Sequence, residues 1–240
     1  MEQLRISGKD LGAVALADFC ARCFWIQRKA PAGLPFQIFP GIFSSIDSYS
    51  KNTVHTWFDR HGSPPPWLSE LGDVVGYIEP PHYSKFSTVD QATNILLTGA
   101  PDALFKLSDG SLLIGDYKTA KFTQAQDRLL PVYRTQLNAY AVIAEARGLG
   151  RVSRLALIYT EPDTDRSVAA TDGVHRPDGF IMGFSAHVLP VNVDATTIPP
   201  LLKRVRELLD SSTPPRGRSG CKDCRKLEGL VGLMGARSGT

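Results

Sequence analysis

No stretch of this 240-residue chain is long and apolar enough to cross a bilayer. The most apolar early run, Leu11 to Trp25, is broken by Asp18 and Arg22 and is shorter than the ~20 residues a span requires. The opening MEQLRISGKD is polar and charged, without the apolar centre of a secretory signal. A soluble, cytoplasmic protein is therefore expected. Internal repeats, low-complexity tracts and helicase motifs are absent. A strong excess of one charge is lacking too: 27 Lys and Arg stand against 24 Asp and Glu, for a net charge of +3 and a pI near 8.7. That balance permits nucleic acid as a partner without requiring it. Cysteine is scarce, at four residues. A chain of this size in a reducing compartment does not call for a disulfide framework.

What the chain does have is ample apolar content, 42% of residues, for one sizeable core. A single domain over 1–240 is expected, its core spanning about 45–195. Periodicity predicts a helix over 9–29 and a second over Ser45 to Arg60, separated by an extended connection at 30–41 with three prolines and two glycines. A three- or four-stranded meander is expected, with strands at VVGYIEP (74–80), ATNILLTGAPDALFKL (92–107) and LLIGDYKTA (112–120), the last two joined by an SDGS turn. A long helix over Thr123 to Arg147, strands at 153–160 and 180–191, and a helix at 198–210 follow. The order suits an α/β fold: a mixed sheet flanked by helices. Between Lys203 and Lys226 lie Lys203, Arg204, Arg206, Arg216, Arg218, Lys222, Arg225 and Lys226. This run is either a solubilising tail or a phosphate-contacting patch.

An ionised carboxylate on an apolar strand needs a charge partner, a metal or water. Asp116 and Lys118 lie two apart, so on a strand they share a face. The Asp109-Gly110 turn folds the preceding strand back and can bring Asp102 alongside Asp116. Two adjacent carboxylates repel unless a cation lies between them, and oxygen ligands favour Mg²⁺ or Mn²⁺. With such a cation, Lys118 can polarise an attacking water or offset charge developing on a phosphorane. Two Asp and a Lys around a divalent cation suit phosphodiester hydrolysis.

Asp-x-Lys alone is a weak signal; the whole string is a stronger one. GAPDAL, the Asp-Gly turn and IGDYKTAK together resemble the PD-(D/E)XK nuclease superfamily, and its RecB-like branch in particular. The resemblance implies a restriction-endonuclease-like core and a Mg²⁺- or Mn²⁺-dependent deoxyribonuclease, an exonuclease acting in repair, recombination or defence. It implies DNA as substrate, single-stranded or with free ends, and any helicase or recombination partner on a separate chain. The branch carries Gln-x-x-x-Tyr on the next helix, matched by Gln136 and Tyr140 in QLNAY. It often supplies a histidine ligand from an N-terminal helix, for which His55 is the positional match, although a core role for His55 is equally open. The Tyr117 carbonyl and waters could complete an octahedral site around Asp102 and Asp116. Lys121, Arg128 and Arg134 are candidate phosphate contacts.

The four cysteines form two Cys-x-x-Cys pairs, Cys20 with Cys23 and Cys221 with Cys224. Four paired thiols with none to spare read as ligands of one metal centre joining the termini. CARCFWIQRK resembles the N-terminal pattern of the CRISPR-associated and AddB-type iron–sulfur nucleases, which implies a [4Fe–4S] cluster. Those relatives place one cysteine early and three late. The two-and-two arrangement here suits Zn²⁺ as well. A catalytically inactive DNA-binding or scaffolding subunit with a structural four-cysteine metal centre is the alternative from another class.

Overall fold

The computed structural model describes residues 2–30, 40–123 and 127–235. β1 (Leu4–Ser7) runs into α1 (Gly8–Ala13), and α2 (Ala21–Lys29) follows after a set of turns. Next come α3 (Ile42–His61), a 3-10 turn over Pro66–Leu71, β2 (Val74–Ile78), β3 (Ser87–Asp90), β4 (Ile95–Thr98), β5 (Ala103–Leu107) and β6 (Leu112–Lys118). α4 (Leu130–Ala146) leads to β7 (Val152–Pro162), the four-residue α5 (Arg166–Ala169), and the short β8 (His175–Arg176) and β9 (Gly179–Phe180). β10 (Phe184–Val191), α6 (Ile198–Asp210) and α7 (Lys222–Gly235) end the described chain. Among the described residues no helix is long and apolar enough to cross a membrane.

The main sheet is mixed, in the order β10-β7-β6-β5-β2, with β6 and β7 parallel and the other neighbours antiparallel. The parallel pair needs a crossover, and α4 supplies it. Period-two alternation then sorts β6 between two layers. Leu112 and Ile114 pack with Leu137 and Ile143 of α4, whereas Leu113 and Tyr117 pack with Val54 and Phe58 of α3. Asp116 has the parity of Leu112 and Ile114, so it faces α4. A second, three-stranded sheet, β1-β4-β3, adds Ile6, Ile95 and Leu97 to the α4-side core.

Four expectations need correction. The single helix over 9–29 is two helices with turns between them. A Cβ at Gly12 would stand 2.5 Å from the Val132 carbonyl oxygen, so α1 lies almost backbone to backbone on α4. The chain must turn before α2 can start from the extended Cys20 (φ −118°, ψ 109°). The strand over 92–107 also splits. β4 joins the small sheet and β5 the main one, broken at Gly99-Ala100-Pro101, where proline has no N–H for a ladder. The strands are therefore not a single meander, and the four-residue β1 and β3 were too short to show a period. The helix expected from Thr123 starts at Leu130; residues 124–126, like 31–39 of the expected connection, lie outside the described residues.

The C-terminal basic run is partly structural. Arg206 is buried and donates to the carbonyls of Thr93, Glu2 and Asn94 while pairing with Asp210. Arg204 lies over the Phe19 ring and donates to the Val14 carbonyl, and Arg218 donates to the carbonyl of Asp18. Those three guanidiniums tie the two ends of the chain together. The stretch beyond 220, which carries the second cysteine pair, forms α7.

Candidate active site and cysteine centre

The β5–β6 hairpin positions the two acids. Its turn needs Gly110, whose φ of 80° is left-handed, and Asp109 caps it by accepting the Ser111 amide at 2.9 Å. The register pairs Ala103 with Gly115, so Asp102, one step further, falls opposite Asp116. Asp102 Oδ2 accepts the Tyr117 amide at 3.0 Å, which holds its carboxylate against β6. Asp116 Oδ1 accepts from Gln136 Nε2 at 3.2 Å, and the same amide donates to Tyr140 Oη at 2.8 Å. The Lys118 ammonium touches Asp116 Oδ2 and lies 4.4 Å from the centre of the Tyr133 ring. Asp102, Asp116, Lys118, Gln136 and Tyr140 are thus brought together at one strand end, under the N-terminal half of α4. The four-residue spacing of Gln136 and Tyr140 lets both project from one helix face.

Burial is the dominant influence on Asp116, which is 2% exposed. It pushes the carboxyl up to about 7; Lys118 pulls the other way, and Asp102 raises it further. Burial and the Asp116 charge likewise raise the Tyr140 phenol, opposed by Gln136 and the Ala100 amide. The close fit around Tyr140 explains GAPD: a Cβ at Gly99 would stand 2.5 Å from Tyr140 Cε1 and 2.7 Å from Cδ1.

Sequence reading missed Lys51 and Asp47. Lys51 Nζ lies 2.8 Å from Asp102 Oδ1 and 2.8 Å from Asp47 Oδ2. Burial works to lower the Lys51 ammonium, but Asp102 and Asp47 hold it above its ordinary value. The signal was present as a polar stripe, Asp47, Lys51 and His55, at four-residue spacing along α3. His55, the residue singled out, pairs with Glu79 (3.4 Å from Nδ1 to Oε1) and stacks on Tyr77 with ring centres 4.2 Å apart. It is Lys51, one turn earlier, that reaches Asp102. Arg128 pairs with Asp18, Arg134 borders a cleft facing Asn192 and Thr197, and Lys121 is exposed.

The oxygen set suits a hard cation. Asp116 Oδ2 has no directed hydrogen bond, and Gln136 Oε1 is buried without a donor among the described residues. The Lys118 ammonium already meets the first; the second is costly until something positive reaches it. Asp102 adds a third oxygen donor beside them.

The four cysteines converge where the two ends of the chain meet. All four sulfurs lie within 4.8 Å of one another. Cys20 and Cys224 are 3.6 Å apart, Cys23 and Cys221 3.6 Å, and Cys23 and Cys224 3.4 Å. Burial raises the Cys20 thiol, but the Arg218 and Cys23 amides and the neighbouring sulfurs outweigh it and bring it down to about 6. Burial and the sulfurs of Cys224, Cys221 and Cys20 raise Cys23. A Cβ on Gly217 would lie 3.0 Å from the Cys224 sulfur, so the backbone hugs the cluster. Four thiols at this spacing, three buried and Cys23 half-buried, can bind one metal and tie α2 to α7 across about 200 residues of chain.

An α/β sheet whose central hairpin gathers two acids and a lysine against a Gln-Tyr pair offers oxygen ligands for a divalent cation beside an ammonium. The chain belongs to the PD-(D/E)XK nuclease superfamily, whose family model matches residues 52–226. Membership implies a hydrolase with a nucleic-acid substrate. Among solved structures, the crystal structure of SSO0001 is similar at 13% identity, covering 90% of this chain and 81% of that chain with a TM-score of 0.40. No curated protein matches the chain.

Proposed function

We propose that the protein is a RecB-like deoxyribonuclease dependent on Mg²⁺ or Mn²⁺, acting as an exonuclease on DNA that is single-stranded or has free ends. The observation that carries this reading is the convergence of Asp102, Asp116 and Lys118 at one strand end beside the buried Gln136 Oε1, which has no donor among the described residues. Asp102 and Asp116 would hold the cation, with the Tyr117 carbonyl as a further donor; the bound metal would polarise the phosphate and lower the pKa of its water. Lys118, steadied over Tyr133, donates to the attacking water or to the phosphate oxygen where charge builds. Gln136, itself bonded to Tyr140, keeps the Asp116 carboxylate in one orientation. Lys51 neutralises Asp102 from the α3 side.

For the thiols, the spacing supports Zn²⁺ over the [4Fe–4S] cluster expected from the resemblance. Tetrahedral bonds of about 2.3 Å put sulfurs about 3.8 Å apart, close to the separations observed. A cube interposes four irons and requires a wider set. Metal analysis finding one zinc per chain in colourless protein supports this; brown protein with iron and sulfide overturns it.

The nuclease reading is tested with Asp116→Ala. Wild type should degrade linear DNA when Mg²⁺ is added. The variant should lose that activity while keeping its circular dichroism spectrum and its DNA affinity. Equal degradation by both proteins, or none by wild type, removes the reading.

A further inference from the structure

A cavity of about 540 Å³ opens between α3 and β10, bounded by Tyr49, Thr53, Trp67, Tyr117, Phe184 and Ser185. No charged side chain lines it among the described residues, which makes it a poor receptor for phosphate. Its mouth carries two aromatic rings with free surface: Tyr49 is 68% exposed and Trp67 43%. Its floor carries the Tyr117 phenol, which is buried and has no hydrogen-bond partner among the described residues. A buried hydroxyl without a partner is costly and points to a group that arrives from outside.

The cavity adjoins the candidate active site through one residue. Tyr117 also walls a neighbouring pocket of about 380 Å³ lined by Asp47 and Lys118, and its amide is the donor to Asp102. A strand whose phosphate sits at Asp102 and Lys118 therefore has an uncharged, aromatic recess across the end of β6, on the α3 side where the Tyr117 ring lies. Planar rings, an uncharged wall and a free phenol match the requirements of a nucleobase: faces to stack on and an edge to hydrogen-bond.

We propose that this cavity receives one unstacked nucleobase next to the scissile phosphate, so that the strand cut must be locally single-stranded. A base inside a duplex is paired and stacked and cannot enter without being extruded. The inference rests on the nuclease reading and names the form of its substrate.

The test is an abasic scan. A fluorescein-labelled twelve-nucleotide single strand carries one abasic site, moved along its length, and its affinity is read by fluorescence anisotropy with Ca²⁺ replacing Mg²⁺ to hold back cleavage. One register should lose about tenfold in affinity, the scale of a lost base–aromatic stack, and the others little. Tyr49→Ala, an exposed substitution that spares the core, should abolish the difference between registers without weakening a blunt duplex. Tyr117→Phe should weaken the single strand without lowering the melting temperature, because it removes only an unpartnered hydroxyl. An even loss at every register, or an equal loss of duplex and single strand in Tyr49→Ala, overturns the proposal. If wild type still degrades DNA in that event, the nuclease reading stands; if wild type degrades no DNA, both fall.

Discussion

Replacing Asp116 by Asn should stabilise the metal-free protein while abolishing its response to Mg²⁺. The carboxyl is 2% exposed and is pushed from an ordinary 3.8 to about 7, chiefly by burial. The folded state therefore holds this proton more tightly than the unfolded chain does. Stability is full below about pH 4, declines as the pH rises towards 7, and stays low above that. At 1.36 kcal/mol per pH unit the gap corresponds to about 4 kcal/mol. Asn keeps the shape and still accepts from Gln136, but it leaves Lys118, whose side chain is 17% exposed, without its anion. The Lys118 attraction is already counted in the shift, so the gain is about 4 kcal/mol, which raises the melting temperature by about 8–16 °C in a domain of this size. The assay is thermal unfolding in EDTA at pH 8 and pH 4. The variant should melt higher at pH 8 and level with wild type at pH 4, where the wild-type carboxyl is already neutral. Mg²⁺ at a hundred times its Kd should stabilise wild type by about 2.7 kcal/mol and leave the variant unmoved. A variant that melts at or below wild type in EDTA at pH 8, or that keeps the Mg²⁺ shift, refutes the account of a buried metal-binding acid.

Three further outcomes follow from other contacts. Lys51→Met removes the cation that now satisfies Asp102 and Asp47; Mn²⁺ binding by calorimetry should tighten about tenfold, one pH unit's worth of free energy, and unchanged or weaker binding would contradict the competition. Gly99→Ala sets a methyl into the Tyr140 ring, costing about 2 kcal/mol, and a thermal melt should show it; Tyr140→Leu in the same chain should recover most of the loss. Stripping the cysteine centre releases a loop of about 200 residues, worth about 5 kcal/mol in chain entropy. A chelator should lower the melting temperature well before it changes the rate of DNA cleavage at 25 °C, and a rate loss in protein that remains folded would make the centre part of the chemistry.

Much of the candidate site was legible along the chain because its parts are local. Asp102, the Asp109-Gly110 turn, Asp116 and Lys118 lie on one hairpin, and a period of two with a tight turn dictates which side chains meet. Gln136 and Tyr140 need only a helix. Lys51 escaped because its partner is 51 residues away, and nothing in KNTVH indicates which turn of α3 faces the strand end. His55 was the more conspicuous chemical type, yet packing against Tyr77 and Glu79 took it elsewhere. The split of 92–107 escaped for a related reason: apolar texture marks burial, not the sheet that provides it.

Composition, pairing of the cysteines and the hairpin motif were enough, on sequence alone, to specify an α/β domain with a two-acid, one-lysine strand end and a thiol quartet, because each depends on short-range geometry or on counting. The tertiary structure alone decided that Lys51 rather than His55 meets Asp102. It also decided that Gly12 and Gly99 are contact points, that Arg206 is a buried tie, and that an uncharged aromatic recess lies behind Tyr117. Those features come from surfaces distant in sequence pressed to van der Waals distance, and periodicity carries no record of which surfaces those are.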